Sequence, residues 1–220
     1  MVDEMMHYQK ILEGGFMVRL MQADDAQQLE ALQYLVFPNL ADDEILHAPQ
    51  YRKHVEIFPE GQYVITDNKK IIAATTTMRY HLDENDNAHH TFFEIMGGGW
   101  LTTHNPDGEW MYGLDMGVNP AYRGKGLAKE LYRARQYACT TLHLKGQMMV
   151  GMLNGFAKYK TEMDIDGYFQ KVKAGEIFDP TVSVQRKIGF EIRGLMKDYL
   201  NDPTCGNAGA VLVLEVSKEI

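Results

Sequence analysis

Apolar residues recur along the chain with two different periods, and the changes of period mark the predicted elements. Short runs rich in β-branched and aromatic residues predict strands at 16–21, 62–66, 71–80, 91–95, 110–118, 146–153, 189–195 and 208–216. Apolar residues three and four apart predict helices after Asp24, over 41–58 with a break or an end near Pro49, over 127–142, over 154–175 with a break at 163–164, and over 180–187. The acidic run 83–87 and the glycines at 97–99 predict loops.

The order of these elements predicts the fold class. Strands and helices alternate irregularly, which favours an α/β (α+β) protein with one mixed, partly antiparallel central sheet flanked by helices. A repeating βαβ fold does not match this order. No stretch rich in Gly, Pro or Ser separates two halves, so we expect a single domain over 1–220, with a leader segment at 1–15 and a helical insertion at 155–179.

Composition and charge exclude several classes of protein. Hydrophobic residues make up 45% of the chain and charged residues 24%, which excludes a largely disordered protein. The formal net charge is -8, which argues against nucleic acid or an anionic membrane as a partner, because both require a basic surface. No apolar run reaches the roughly 18 residues that cross a bilayer, and residues 1–13 lack the pattern of a signal peptide. We therefore expect a cytoplasmic protein.

The sequence also lacks the residue patterns of serine hydrolases and of metal-dependent enzymes. Cys139 and Cys205 are far apart and lie in no metal-binding spacing, so we expect reduced, buried cysteines. Ser183 and Ser217 are the only serines, and neither lies in the GxSxG setting of a serine hydrolase. The eight histidines form no HExxH pair, so we expect no metal site.

One segment, 114–128, has the pattern of an anion-binding loop. It reads Leu-Asp-Met-Gly-Val-Asn-Pro-Ala-Tyr-Arg-Gly-Lys-Gly-Leu-Ala and runs from a predicted strand directly into the most regular predicted helix. Glycines let a ligand approach the backbone, and a helix start offers unpaired N–H groups to a phosphate. The segment contains neither GxxxxGK[ST] nor a GxGxxG that opens a βαβ unit, so the two common nucleotide motifs are absent.

Basic residues are concentrated around this segment. Between Asn119 and Arg135 there are five basic residues and one acidic residue, a local charge of +4 that leaves -12 for the rest of the chain. Such a basic region suits an anionic ligand. The simpler alternative is a tight strand-to-helix turn followed by a solvated helix face.

The whole pattern resembles a known family motif. Val118-Asn-Pro-x-Tyr-Arg-Gly-Lys-Gly-Leu-Ala128 resembles the acetyl-CoA-binding motif of the GNAT N-acetyltransferase superfamily, in which Arg or Gln is followed by two residues, Gly, one residue, and Gly or Ala. Arg123, Gly126 and Ala128 occupy these positions. The later segment Gln185-Arg-Lys-Ile-Gly-Phe190 resembles the helix-to-strand junction of the same family. The resemblance implies a GNAT-like acyl-CoA N-acyltransferase fold.

A closer likeness is to the acetyltransferase-like domain that precedes a carbon–nitrogen hydrolase domain in some bacterial two-domain proteins. It rests on Phe58-Pro-Glu-Gly-Gln62, Tyr112-Gly-Leu-Asp115 and the stretch 175–185 that leads to Gly189-Phe190. Neither cysteine has a nitrilase-type neighbourhood, so we expect only the acetyltransferase-like part of that architecture.

The resemblance implies an enzyme that transfers an acetyl group from acetyl-CoA to a primary amine of a small molecule or side chain, by direct attack on the thioester. Acetyl-CoA is then the co-substrate, and no metal is needed. A backbone N–H near Gly117 or Val118 would stabilise the oxyanion. The residues that would bind the cofactor are Met116, Gly117, Val118, Arg123, Gly124, Lys125, Gly126, Leu127, Ala128 and Asn154.

A general base is useful because an amine with a pKa of about 10.4 is mostly protonated at neutral pH. The candidates are Asp115 on the motif strand, Glu94 on the preceding predicted strand, and His104 in the loop between them. Each has a structural alternative: a hydrogen bond at the strand crossover for Asp115, a solvated strand position for Glu94, and a loop cap for His104.

The expected general acid is missing. Where many family members have Tyr four residues before the Gly-Phe pair, this chain has Gln185. Tyr159 or Tyr168 could replace that tyrosine, or both could be packing residues. A thiol with a pKa near 8.5 is also a tolerable leaving group without an acid.

Two other functions stay open beside acetyl transfer. The absence of the tyrosine also fits a CoA-binding regulatory or partner-binding module with weak catalysis, and a longer acyl-CoA is a third possibility. A homodimer and a carbon–nitrogen hydrolase partner are further expectations. The net charge of -12 on the residues outside the basic segment favours a cationic acceptor.

Overall fold

A computed structural model describes residues 8–81 and 89–220, so the predicted acidic loop 83–87 lies outside the described residues. Eight strands form one sheet in the order β1-β2-β3-β4-β5-β6-β8-β7. Neighbouring strands are antiparallel except for β5 and β6, which are parallel. The strands are β1 Gln9–Ile11, β2 Met17–Leu20, β3 Tyr63–Asp67, β4 Lys70–Tyr80, β5 Trp110–Val118, β6 Gly146–Met152, β7 Glu191–Met196 and β8 Gly209–Glu215.

Helices flank this sheet, which confirms the predicted α/β (α+β) class. The longest, α4, buries Leu127, Leu131, Ala134 and Ala138 at helical spacing, as the apolar stripe predicts. The α-helices are α1 Ala26–Val36, α2 Ala48–Ile57, α3 Phe92–Ile95, α4 Leu127–Thr141, α5 Ile165–Ala174 and α6 Val182–Ile188.

The buried side chains form two clusters. The larger packs α1, α2 and α4 against the sheet. The smaller lies under α5 and α6 and includes Tyr132, Met149 and Phe169. Cys139 and Cys205 are both buried and unpaired, as expected, and burial raises the pKa of the Cys139 thiol to about 12. Among the described residues, no helix combines the length and apolarity needed to cross a membrane.

Two sequence-based predictions are wrong. Residues 91–95, predicted as a strand, contain the short helix α3, because Thr91 Oγ1 accepts a hydrogen bond from the Glu94 N–H while the Glu94 carboxylate accepts from the Thr91 N–H. In the predicted helix 41–58, α2 begins only at Ala48, and Pro49 lies in its first turn, where a missing N–H costs nothing. Within the stretch 1–15, Gln9–Ile11 pairs with β2 as an edge strand.

A bulge in β5 fixes which side chains face the helices. Thr76 of β4 pairs with Asp115, but Thr77 pairs with Gly113, so the register skips Leu114. Thr76 and Thr77 point to opposite faces of the sheet, and paired residues point to the same face. Gly113 and Asp115 therefore face opposite sides, although only one residue separates them.

Candidate functional site

Strands β5 and β6 diverge halfway along their length. They pair from Trp110–Gly146 to Gly113–Met149, and no pairing continues beyond that point. A cavity of about 600 Å³ lies at the divergence. Because β6 is not paired with residues 114–118, this edge of β5 is open towards the cavity. The Asp115 carbonyl on this stretch accepts from Thr75 Oγ1, and the Val118 carbonyl accepts from Arg123 Nε at 3.3 Å. The two strands contribute Gly113, Leu114, Asp115, Met116, Val118, Met149, Val150, Gly151 and Met152 to the cavity wall.

The loop after β5 has the geometry of an anion-binding turn. The Asn119 side chain accepts a hydrogen bond from the Ala121 N–H at 3.0 Å and starts the turn. Gly124 and Gly126 adopt φ values of +79° and +75°, a region that favours glycine, and a Cβ at either would meet no atom within 4 Å. The space beside the loop is therefore open to a ligand, and the first N–H groups of α4 follow directly.

Three basic side chains surround this loop: Arg123, Lys125 and Lys129 are exposed. Within 8–81 and 89–220, none of the three has a carboxylate partner at ion-pair distance. The acidic residue of the segment, Glu130, is already paired with Lys10 and Arg133. The unpaired charges favour an anionic ligand at this turn.

Five of the ten predicted cofactor residues lie together in the cavity wall. Met116, Val118, Arg123, Ala128 and Asn154 line the cavity. The Asn154 amide also donates to Thr181 Oγ1 at 2.8 Å. Of the others, Gly117 packs on α1, and Leu127 begins α4 and is buried. The exposed loop contains Gly124, Lys125 and Gly126.

Asp115 is a buried carboxylate in the cavity wall. Its Oδ2 accepts hydrogen bonds from Gln33 Nε2 at 2.6 Å and from Tyr51 Oη at 3.2 Å, and Gln33 Nε2 also donates to Tyr51 Oη at 2.6 Å. Burial raises the pKa of Asp115 to about 6, against the lowering effects of Tyr51, of the Arg135 charge and of Gln33. A carboxylate with this pKa is suited to proton transfer near neutral pH.

The other two candidate bases lie elsewhere. Glu94 caps α3 and is not part of the cavity wall, and the hydrogen bonds from Thr91 lower its pKa. His104 Nδ1 accepts from the Arg79 N–H at 3.1 Å, and its ring packs on Phe58 at 4.9 Å. His104 is also outside the cavity wall, so the structure gives it the loop-capping position.

Sequence reasoning missed Tyr132, which meets Gln185 in the cavity wall. Gln185 Nε2 donates to Tyr132 Oη at 2.9 Å, and burial raises the pKa of Tyr132. Tyr168, considered above as a replacement acid, instead donates to Asp179 at 2.9 Å within the smaller core. The signal for Tyr132 is a second buried stripe on α4, formed with Arg135 and Cys139 at helical spacing.

Among the described residues, no group of three or more His, Cys, Asp or Glu side chains is arranged to hold a metal ion. The arrangement instead offers a basic, glycine-containing turn, an open strand edge and, in the cavity wall, a carboxyl group and a phenol.

Comparison with known proteins agrees with this geometry. The model of the acetyltransferase (GNAT) family matches residues 27–157. The chain is similar to "Probable hydrolase YhcX" of Bacillus subtilis strain 168, with 32% identity over 91% of this chain, and spans only 38% of that protein's length. It is also 28% identical to "Uncharacterized N-acetyltransferase YkwB" of the same organism, over 86% of this chain and 83% of that protein.

A solved structure shares the fold. The GphF GNAT-like decarboxylase in complex with isobutyryl-CoA superposes with a TM-score of 0.77 over 90% of this chain and 98% of that chain, at 18% identity. At this identity the likeness concerns the fold.

Proposed function

Because the chain belongs to the acetyltransferase (GNAT) family, we propose that it transfers an acetyl group from acetyl-CoA to a primary amine. The observation that carries the proposal is the continuity of one cavity from the loop at Arg123 to Asp115, along the strand edge that β6 leaves open. The loop would hold the pyrophosphate, and the edge of β5 at 116–118 would pair with the pantetheine arm. Asn154 and Ala128 would border the same arm.

The reaction would need a proton acceptor, and Asp115 is placed for it. The amine nitrogen attacks the thioester carbon, and its proton passes to the Asp115 carboxylate. The C–S bond then breaks and the acetyl group stays on nitrogen as an amide. Gln33 and Tyr51 would hold the carboxylate in one orientation through the hydrogen bonds to Oδ2.

We infer that Tyr132 supplies the proton to the departing thiolate. Its hydroxyl lies beside Gln185, which occupies the position where many family members have a tyrosine. The phenol would thus reach this place from α4 instead of α6. Gln185 Nε2 donates to the hydroxyl oxygen, and the hydroxyl itself donates to Met149 Sδ at 3.6 Å. Since a thioether is a weak acceptor, the hydroxyl would exchange this contact for the sulfur of CoA.

Incubation with acetyl-CoA and a panel of primary amines tests the proposal. We expect free CoA thiol to appear in equal amount to an amine product heavier by one acetyl group, with cationic acceptors preferred because the chain outside the basic segment is acidic. CoA release without an acetylated amine would contradict the proposal. Acetyl-CoA binding without any turnover would favour the CoA-binding module, and faster reaction of longer thioesters would redefine the acyl group.

Tyr132→Phe should lower kcat by about 10- to 100-fold while leaving the Kd of acetyl-CoA unchanged, since general-acid catalysis contributes about that much or more and a thiol is a fair leaving group. Steady-state kinetics and a binding titration measure the two quantities. The matched control is Tyr168→Phe, which removes a hydroxyl from the smaller core. A kcat within two-fold of wild type for Tyr132→Phe would exclude Tyr132 as the acid.

We also propose that this protein associates either with a carbon–nitrogen hydrolase or with a second copy of itself. The longer relative named a probable hydrolase supports a carbon–nitrogen hydrolase as a partner in the same assembly, and a homodimer is the alternative arrangement. Cytoplasmic location accords with the need for acetyl-CoA and with the reduced cysteines.

A further inference from the structure

Arg135 is a fully buried cation in the wall of the cavity. It extends from α4 to the point where β5 and β6 part, and the residue is only 1% exposed. Its Nη2 donates to Thr75 Oγ1, to the Asp115 carbonyl at 3.1 Å and to the Thr76 carbonyl at 3.4 Å. Its Nε has no acceptor. One nitrogen of the guanidinium group therefore makes every hydrogen bond that the structure shows for it.

The positive charge of Arg135 has no direct counter-ion in the described chain. Its acceptors are a hydroxyl and two carbonyls, all neutral, and no carboxylate of residues 8–81 or 89–220 lies within ion-pair distance. Asp115 is close enough to interact electrostatically, but its carboxylate is bound by Gln33 and Tyr51 on the opposite face of the sheet.

Burial lowers the pKa of Arg135 to about 10, so the group remains charged at neutral pH. The guanidinium carbon lies 5.6 Å from the centroid of the Tyr132 ring, and this cation–π contact offsets part of the cost of burying the charge. A buried charge without a carboxylate partner is still costly, and proteins normally pair it. If Arg135 served only to hold the Thr76 and Asp115 carbonyls, it would use Nη2 alone. The free-energy cost of burying its charge would then remain.

A glycine on β5 makes room for this guanidinium group in the cavity wall. A Cβ on Gly113 would lie 2.3 Å from Arg135 Nη1, so only glycine fits beside it. Gly113 and Tyr132 border the cavity at the same place, the closed end of the divergence between the strands. This end lies beyond the strand edge to which we assign the pantetheine arm, where an acyl group or an acceptor would meet the protein.

We propose that Arg135 binds a carboxylate carried by one of the substrates. The inference rests on the proposed function, because it needs a CoA thioester in the cavity. A guanidinium group is suited to a carboxylate, which it can bind through two parallel N–H···O bonds. The carboxylate comes from one of two sources: the acyl group, as in the monothioester of a dicarboxylic acid, or an amine acceptor that bears a carboxylate.

Two matched pairs of substrates distinguish these sources in the wild-type protein. Succinyl-CoA and butyryl-CoA differ by a terminal carboxylate, and an α-amino acid and its amide differ in the same way. We expect the carboxylate-bearing member of one pair to have a kcat/KM or an affinity at least about ten-fold higher, which corresponds to about 1.4 kcal/mol. A preference in the first pair assigns the acyl group, and one in the second pair assigns the acceptor.

Arg135→Gln should abolish that preference, and Arg135→Lys should retain part of it because the charge is kept. The matched control is Arg133→Gln on the same helix. Arg133 is outside the cavity wall and pairs with Glu130 and the Ile220 carbonyl, so this variant should keep the full preference. The affinity for CoA itself reports whether each variant is folded. If Arg135→Gln does not fold, the two substrate pairs still test the carboxylate preference in the wild-type protein, and Arg135→Lys still tests the role of the guanidinium group.

The inference would be overturned if the wild-type protein preferred the carboxylate-bearing member by less than about two-fold in both substrate pairs. A carboxylate preference that persists in a folded Arg135→Gln variant would overturn it as well. The proposed function fails by a different result, namely no binding of CoA or acetyl-CoA at all. Binding and acetyl transfer without any carboxylate preference would leave the proposed function standing and remove only the role of Arg135.

Discussion

Asp115→Asn should lower kcat for acetyl transfer by about 10²- to 10⁴-fold, the usual contribution of a general base. The asparagine keeps the shape of the side chain but cannot accept the proton of the amine. In the wild type, kcat/KM should rise with pH through an apparent pKa of about 6, because the carboxylate is the active form. The variant should lack this rise. A pH profile of both proteins, with Asp107→Asn in an exposed loop as the control, measures the effect.

The same substitution should stabilise the fold above neutral pH. Burial raises the pKa of Asp115 from an ordinary value of about 3.9 to about 6, so the folded state binds this proton more tightly than the unfolded state does. The resulting stabilisation is complete below about pH 4 and is lost as the pH rises through 6. A neutral asparagine avoids the loss, which amounts to at most about 3 kcal/mol. Reduced stability of Asp115→Asn at pH 8 in denaturant unfolding would contradict the buried, shifted carboxylate.

Arg123→Glu should weaken acetyl-CoA binding by at least about 100-fold. Arg123 is exposed in the glycine loop, lines the mouth of the cavity and has no carboxylate partner in the described chain. The substitution removes a charge-assisted hydrogen bond to the pyrophosphate, worth about 1.5 to 3 kcal/mol, and adds a repulsive carboxylate. Thermal stabilisation by acetyl-CoA, measured as a shift in Tm, should disappear with it.

The control for Arg123→Glu is Arg52→Glu, which makes the same charge change on the exposed side of α2. It should bind acetyl-CoA as the wild type does. An equal loss in both variants would mean that net charge, and not the loop, governs binding.

The parts of the site that could be predicted are those encoded by neighbouring residues. The strand, turn and helix over 114–128 follow from local rules, because Gly124 and Gly126 supply the positive φ and the stripe from Leu127 to Ala138 defines α4. The error at 91–95 was avoidable, since Thr91 and Glu94 form a capping box whose spacing is visible in the sequence.

The parts that could not be predicted depend on residues distant in the chain. Gln33 and Tyr51 reach Asp115 across 82 and 64 positions, and Gln185 reaches Tyr132 across 53. Arg135 belongs to the basic segment in the sequence, but in the structure it is buried and donates to the Thr76 and Asp115 carbonyls beside the bulge. Periodicity gives the buried face of α4 but not the strand irregularity against which that face packs.

The central claim is that the cavity between β5 and β6 binds an acyl-CoA, and calorimetric titration of the wild-type protein with acetyl-CoA tests it most directly. We predict saturable binding of one ligand per chain with a Kd between about 1 μM and 1 mM, the range in which enzymes meet their substrates. A folded protein that releases or absorbs no binding heat and shows no shift in Tm at millimolar acetyl-CoA would contradict the account.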